Sequence, residues 1–461
     1  MALIASISGI RGTLGDASGL NPETILSYVF ALGVYLKEKY KDQGVTLAIA
    51  RDGRASGETI SKLVTSTFNF LGIDTIDIGA VPTPTAGIFV KHRHLQGAVV
   101  ITASHNPDNW NGLKFLNEEG EFLSPKAIEK VYSLANNKSY TEFLVKEQSL
   151  GKNNLDDTAL NIHIERILSL DKVLKEAITK KNLKVVVDGI NSVGGPAIEA
   201  LLKELGVKNI ICINKEMGQG FGHNPEPLES NLEKLKKVVV DNNCDLGIAV
   251  DPDGDRLALV CENGEFFGEE NTLIAAAKYV LEHSNKQVAV SNLSSSLGLK
   301  DVVEKLGGQY FSAKVGEINV VEKMKAVKAE IGGEGNGGVI YPPSHYMRDS
   351  LVGLALILSY FSSSSFNNFS TLKTSLPYYV MIKERLDIDK EKLLEVFKVL
   401  KSEFEEVETN EEDGLKLLWS DKWVHLRPSN TEPICRVYIE AKTAKEANSF
   451  LEMIKNKINN L

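Results

Sequence analysis

The chain has 461 residues, 43% of them hydrophobic and 25% charged; that mix excludes wholesale disorder and a fibrous repeat, and at roughly 150 residues per domain the length predicts about two to four domains. Basic residues number 52 against 61 acidic ones, a net charge of −9. Phosphate-backbone binding favours a basic excess, so nucleic acid is not expected as a partner, while a small anionic ligand held by a local cluster of cations stays compatible.

MALIASISGIRG (1–12) lacks the basic stretch and long apolar run of a secretory signal. Residues 23–40 carry Ile25, Leu26, Val29, Leu32 and Leu36 at helical spacing. VTLAIA (45–50) reads as a buried strand, followed by a helix at 57–71, the strand IDTIDIG (73–79), a short helix at 85–93 and the strand GAVVITAS (97–104). Strand–helix alternation of this kind predicts a parallel sheet. It recurs twice. KVVVDG (184–189) leads through a helix to NIICIN (209–214), then through a helix at 231–242 to DLGIAVD (245–251); a third round runs from a helix at 270–282 through QVAVSN (287–292) and another helix to GGVIY (337–341). The apolar run at 351–361 is too short for a bilayer and reads as a buried helix, so no membrane partner is expected. FSSSSFNNFS (361–370) is polar and weakly patterned and reads as a linker or exposed loop. Beyond it YYVMIKERLDI, GLKLLWS, WVHLRPS and RVYIEA are strand-like, with helices at 390–405 and 443–459, the pattern of a smaller α+β domain. The four cysteines, Cys212, Cys244, Cys261 and Cys435, form no CxxC pair and read as reduced, mostly core thiols of a cytoplasmic protein.

In open parallel sheets ligands sit beyond the carboxyl ends of the strands, and the unusual residues fall there: RDGR (51–54), TASHNP (102–107), VDGINS, VDPDGDR and GGEGNGG (332–338). DPDGDR sets Asp251, Asp253 and Asp255 at alternate positions around Gly254. Three carboxylates so close repel one another and need a cation or solvent; oxygen-only ligands point to a hard cation, Mg²⁺ where phosphate is near. A solvated acidic turn, an EF-hand with Glu262 at its twelfth position, and the DxDG nucleophile of a haloacid-dehalogenase-like phosphatase are the alternatives. Ser104 directly follows a strand, with His105 beside it, and reads as a nucleophile, a phosphate carrier or a turn residue. Lys114 reads as an acid/base, a phosphate partner or a solvated cation. RPSNTEPICR (427–436) offers Arg427, Ser429, Asn430, Thr431 and Arg436, a set able to surround a phosphate dianion without metal. GGEGNGG either admits a ligand close to its backbone or forms a flexible hairpin.

Taken in order, TASHNP, DPDGDR, the GE of GGEGNGG and RPSNTEP resemble the serine, metal, sugar and phosphate loops of the α-D-phosphohexomutases, along nearly the whole chain. GIRG (9–12), RDGRASG (51–57), HNPEPLESNL (223–232) and AKVGE (313–317) match as well. The resemblance implies three related α/β domains with mixed, largely parallel sheets (1–150, 151–264 and 265–367) and a C-terminal α+β domain (368–461) around a central active-site cleft. It implies a phosphoserine at Ser104, Mg²⁺ held by Asp251, Asp253, Asp255 and Ser104, charge neutralisation by Arg11 and Arg256, Lys114 as general acid/base and His105 in support. Lys314, Gly316, Glu334 and Asn336 fall to sugar binding, and Arg427, Ser429, Asn430, Thr431 and Arg436 to the non-reacting phosphate. The implied reaction interconverts hexose 6-phosphate and hexose 1-phosphate through a hexose 1,6-bisphosphate, in a cytoplasmic monomer or homodimer.

The sugar loop is where the chain departs from the family's common forms. Bacterial phosphoglucosamine mutases usually carry GEQSGH, and phosphomannomutase/phosphoglucomutases GEMSGH. Here Asn336 stands for a serine and Gly338 for a histidine. The GExNGG form is similar to that of archaeal members assigned to glucosamine or mannose phosphates, and the expectation is glucosamine phosphate, with mannose or glucose phosphate as the alternative. A phosphatase and an inactive sugar-phosphate sensor are the readings outside this class.

Overall fold

A computed structural model describes residues 3–41, 43–137, 141–428 and 434–459. The chain forms two compact units, one of residues 1–272 with 337–371, the other of 273–336 with 372–461.

Among the described residues the first unit holds two whole sheets. In the larger one Thr46–Arg51 lies parallel between Asp74–Ala80 and Gly97–Ile101. Residues 97–101 are buried throughout, which is why this strand reads as an unbroken apolar run rather than an alternation. Trp110–Leu116 then returns antiparallel beside Gly97–Ile101 and pairs in turn with Gly9–Thr13. The DNWNGLK segment after the serine is thus mostly strand, and Lys114 sits inside the sheet rather than in a loop. The second sheet runs Asn209–Ile213, Lys184–Asp188, Leu246–Val250, Leu257–Cys261; the first three are parallel, and the last folds back antiparallel on Leu246–Val250. DPDGDR is therefore a hairpin turn, with Gly254 at φ 68°. Helix Ser350–Ser363 is buried from Ser350 to Phe361, as the apolar run predicts. Among the described residues no helix is long and apolar enough to cross a membrane.

The second unit holds a parallel trio, with Val288–Asn292 between Gln309–Ala313 and Ile331–Glu334, and an antiparallel sheet ordered Val380–Asp387, Ile434–Ala441, Trp423–Pro428, Leu415–Leu418, Glu408–Asn410. Helices Lys390–Glu403 and Ala444–Asn459 contribute Leu393, Val396, Leu400, Ala447, Leu451 and Ile454 to one core with the inward residues of those strands. Three mixed or parallel α/β sheets and one α+β sheet make up the four-domain class that the loop series implies.

One expectation holds only in part, and one alternative drops out. Of residues 361–370 only 364–368 form the expected irregular, half-buried to exposed connection; the helix continues to Ser363, a second helix begins at Phe369, and Phe369 is fully buried and stacked on Phe361 at 4.0 Å. The serine run hid two aromatic anchors. Glu262 is no twelfth ligand of an EF-hand, because both its carboxylate oxygens accept from Ser370.

Candidate active site

Two strand ends of the first unit meet at the serine. Ser104, three residues beyond Gly97–Ile101, is 7% exposed and takes the left-handed backbone at φ 49°, a conformation uncommon for a residue with a Cβ. Its Oγ lies 3.4 Å from Asp251 Oδ2 and 3.3 Å from His105 Nδ1. Asp251, Asp253 and Asp255 are all buried, and one oxygen from each falls within 4.8 Å of the others. The turn thus converges its carboxylates instead of pointing them into solvent.

The loop is shaped by its own backbone and by neighbours. Asp251 Oδ1 accepts from the N–H groups of Asp255 and Arg256. Thr83, first residue of helix Thr83–Arg93, donates its hydroxyl to Asp253 Oδ2 at 2.7 Å and its N–H to the Asp253 carbonyl. Ser350 donates to the Gly254 carbonyl at 2.7 Å. Lys114 Nζ reaches Asp253 Oδ2 at 2.5 Å and Asp255 Oδ2 at 3.4 Å. Arg348 Nη2 reaches Asp255 Oδ2 at 2.7 Å. Arg256 Nη2 lies 3.0 Å from His105 Nδ1, and its Nη1 lies 3.3 Å from Glu226 Oε1. Arg11 Nη1 donates to Asn106 Oδ1 at 2.9 Å.

This charge pattern fixes protonation. Burial, with Asp255 and Asp253 alongside, pushes the Asp251 carboxyl well above the usual range. Burial works the same way on Asp255, but Arg348, Lys114 and Arg256 outweigh it and hold that group below the range. Burial disfavours the Lys114 ammonium, yet Asp253 and Asp255 reverse the sign and keep it charged. Arg256, then burial, then Arg11 drive the His105 imidazole well below its ordinary value, so it is neutral at pH 7.

The donor set fits Mg²⁺. It is all carboxylate oxygen, and Asp253 Oδ1 and Asp255 Oδ1 are buried acceptors without a hydrogen-bond partner, the state a hard cation relieves. His163, His345 and Asp349 form another buried cluster, but there Asp349 Oδ2 accepts from both imidazoles at 2.9 and 3.0 Å and Oδ1 caps helix Ser350–Ser363. His163 also meets Thr85 at 2.9 Å. That cluster fastens three elements around the loop, two of which end in Thr83 and Ser350.

In the second unit Glu334 Oε1 accepts from Asn292 Nδ2 at 2.9 Å and from the Gly316 N–H at 3.1 Å. The next amide, that of Val315, donates to Asp413 Oδ2 at 3.0 Å, and Asp413 also holds Arg427 Nε at 2.8 Å. The sugar-loop carboxylate and the first phosphate-loop arginine therefore share one anchor, the turn at 315–316. Arg436 stands directly across from Arg427 in the sheet, and Arg385 directly across from Arg436. Like charges in register repel, so this row favours an anion. Lys314 is exposed and Asn336 is half-buried. Ser429, Asn430 and Thr431 lie outside the described residues.

Arg348, Thr83 and Asp413 join the site without a motif of their own. Arg348 had a readable signal, since it precedes the Asp349–Ser350 cap of an apolar helix. Thr83 and Asp413 look like ordinary cap and turn residues.

Four family descriptions match in order. Residues 4–142, 161–264 and 269–378 match "Phosphoglucomutase/phosphomannomutase, alpha/beta/alpha domain" I, II and III, and 386–457 match the C-terminal domain. The chain belongs to this family, the phosphohexomutases, which are isomerases. It is 32% identical over 456 residues to a Methanopyrus kandleri protein named "Probable phosphoglucosamine mutase", with 97% of each chain covered. It is 33% identical over 447 residues to the "Phosphoglucomutase/phosphomannomutase" of Thermococcus kodakarensis, with 96% of each covered. Among solved structures, a Burkholderia thailandensis phosphoglucomutase/phosphomannomutase family protein superposes with a TM-score of 0.85 at 25% identity, over 99% of this chain and 98% of that one.

Proposed function

We propose that the protein interconverts hexose 6-phosphate and hexose 1-phosphate through a phosphoseryl enzyme at Ser104, with glucosamine phosphate as its preferred sugar. The approach of Ser104 Oγ to the buried aspartate triad, 3.4 Å from Asp251, carries this reading. Mg²⁺ held by Asp251, Asp253, Asp255 and Ser104 would supply Lewis-acid charge neutralisation at the phosphoryl group.

The protein's own groups account for the rest. A sugar hydroxyl attacks phosphorus, its bond to Ser104 Oγ breaks, and Ser104 regains a proton while the hydroxyl loses one. His105, neutral and 3.3 Å from Ser104 Oγ, suits the exchange with the serine. Lys114, kept as an ammonium, suits donation to a leaving sugar oxygen in the reverse half. Arg11 and Arg256 neutralise charge on the transferring group. Glu334, Gly316, Lys314 and Asn336 read the sugar; Arg427, Arg436, Ser429, Asn430 and Thr431 take the phosphate that does not react. A hexose 1,6-bisphosphate is then the intermediate, and it must turn end for end between halves.

The sugar is supported by GEGNGG and by the name of the Methanopyrus kandleri relative. The Thermococcus kodakarensis relative favours mannose or glucose phosphate as the second reading. A coupled assay of glucosamine, mannose and glucose 6-phosphates, primed with bisphosphate and Mg²⁺, tests it. The expected order puts glucosamine phosphate first in kcat/KM; a higher value for mannose or glucose phosphate overturns the sugar, and turnover of none overturns the activity.

A further inference from the structure

The RDGR loop lies outside the roles given above, yet its second arginine is among the most fully engaged side chains at the site. Arg54 is 3% exposed. All five of its guanidinium N–H donors are accounted for. Nε bonds Asp52 Oδ2 at 3.0 Å. Nη1 bonds the carbonyls of Pro107 and Trp110 at 2.6 and 3.0 Å. Nη2 bonds those of Ser104 and Asn106, both at 2.7 Å. Four carbonyls of the 104–110 turn therefore converge on one planar cation, whose ring-side face is covered by Phe221 at 4.8 Å.

Asp52 completes the frame. Its Oδ2 also accepts from the Thr102 hydroxyl at 2.7 Å, and Thr102 Oγ1 accepts from the Ser104 N–H at 2.9 Å. Ser104 is thus gripped at both its N–H and its C=O while its backbone is left-handed. Such a conformation persists only where the surroundings over-determine it. The frame also reaches the metal loop. Gly53 N–H donates to Ser192 Oγ at 2.8 Å, and Ser192 donates to the Pro252 carbonyl. Ser192 follows Ile190 and Asn191, both at positive φ, 50° and 55°. A Cβ on Gly53 would meet Ser192 Cα at 2.5 Å, so the contact is built close.

We infer that Arg54, with Asp52 and Ser192, is a positioning brace that fixes the serine loop in its left-handed turn and holds it in register with the aspartate loop. With all five donors spent on protein groups, Arg54 has none left for a sugar or a phosphate. It sets where Ser104 Oγ stands relative to Asp251, and so acts on the transfer step rather than on binding. This rests on the reading of Ser104 as the phosphoryl carrier.

Arg54→Lys keeps the charge but replaces a five-donor fork with a single ammonium that cannot reach four carbonyls. Two readouts follow it: steady-state kinetics with hexose phosphate, and amide hydrogen exchange across 102–112. The expected result is a kcat lower by at least tenfold with KM within twofold, and exchange in 103–110 faster by at least tenfold while the far strands exchange as before. Unchanged exchange in 103–110, or a kcat within twofold of the parent, overturns the brace. If the parent protein itself shows no mutase turnover, the phosphoseryl reading fails, and the exchange result still decides the brace. Should Arg54→Lys not fold, Ser192→Ala takes its place, with faster exchange of 251–256 expected and unchanged exchange overturning the link.

Discussion

Asp253 sits where three roles meet: it takes the Lys114 ammonium and the Thr83 hydroxyl on one oxygen, and leaves the other buried without a partner. Asp253→Asn keeps the size and removes the charge. It is expected to raise the Mg²⁺ concentration needed for half-maximal activity by ~10-fold or more, with a parallel fall in kcat; activity that ignores a chelator in either protein contradicts the cation assignment. The three aspartates were legible because alternate carboxylates around a glycine repel one another unless a cation or solvent screens them. Arg54 was visible only as an oddity. Its partners are backbone carbonyls some fifty positions away, and no side-chain pattern announces a carbonyl. Arg348 had only its place before the Asp349–Ser350 cap to mark it; its partner Asp255, 93 positions away, left no local sign of the contact.

At the scale of elements, the strands that place the loops were readable and their partners less so. Buried parallel strands such as 97–101 announce themselves as apolar runs. Trp110–Leu116 did not, because polar Asn111 and Lys114 interrupt a strand whose residues are nonetheless all buried. The helix ends matter as much. Asp349 caps Ser350–Ser363 and is the shared acceptor of His163 and His345. Asp349→Ala leaves two buried imidazoles and two amides without that acceptor, and should cost about 3 kcal/mol or more in urea unfolding; a loss below about 1 kcal/mol contradicts the bolt. In the second unit, burial and then the Lys416 ammonium push the His425 imidazole down to about 3. An unfolded histidine titrates at about 6.5. Between those values the unfolded chain takes up a proton that the fold refuses, so this group's contribution is whole above pH 6.5 and declines as pH falls toward 3, by up to about 1.4 kcal/mol per unit. Trp423, 6.5 Å from the His425 ring, reports it by fluorescence. His425→Gln should flatten the acid slope of the denaturation midpoint, and an unaltered slope contradicts the assignment.

For the whole molecule, the order of four loops along the chain carried more than any one of them. Each loop alone had an ordinary explanation, and the four family matches follow the same order. What the chain does not spell out is the sugar, because GEGNGG departs from both common forms and the two relatives described bear different names. Both names share the interconversion of sugar phosphates; as proposed, the phosphoryl group passes through Ser104, and mass spectrometry reads that directly. Protein incubated with hexose 1,6-bisphosphate and Mg²⁺ should gain a single phosphoryl group, mapped to Ser104, and lose it to added hexose 6-phosphate as bisphosphate re-forms; Ser104→Ala should gain none and turn over at least ~1,000-fold more slowly. A phosphoryl group on another residue, or a seryl phosphate that stays in place while the sugar phosphates interconvert, would contradict the account.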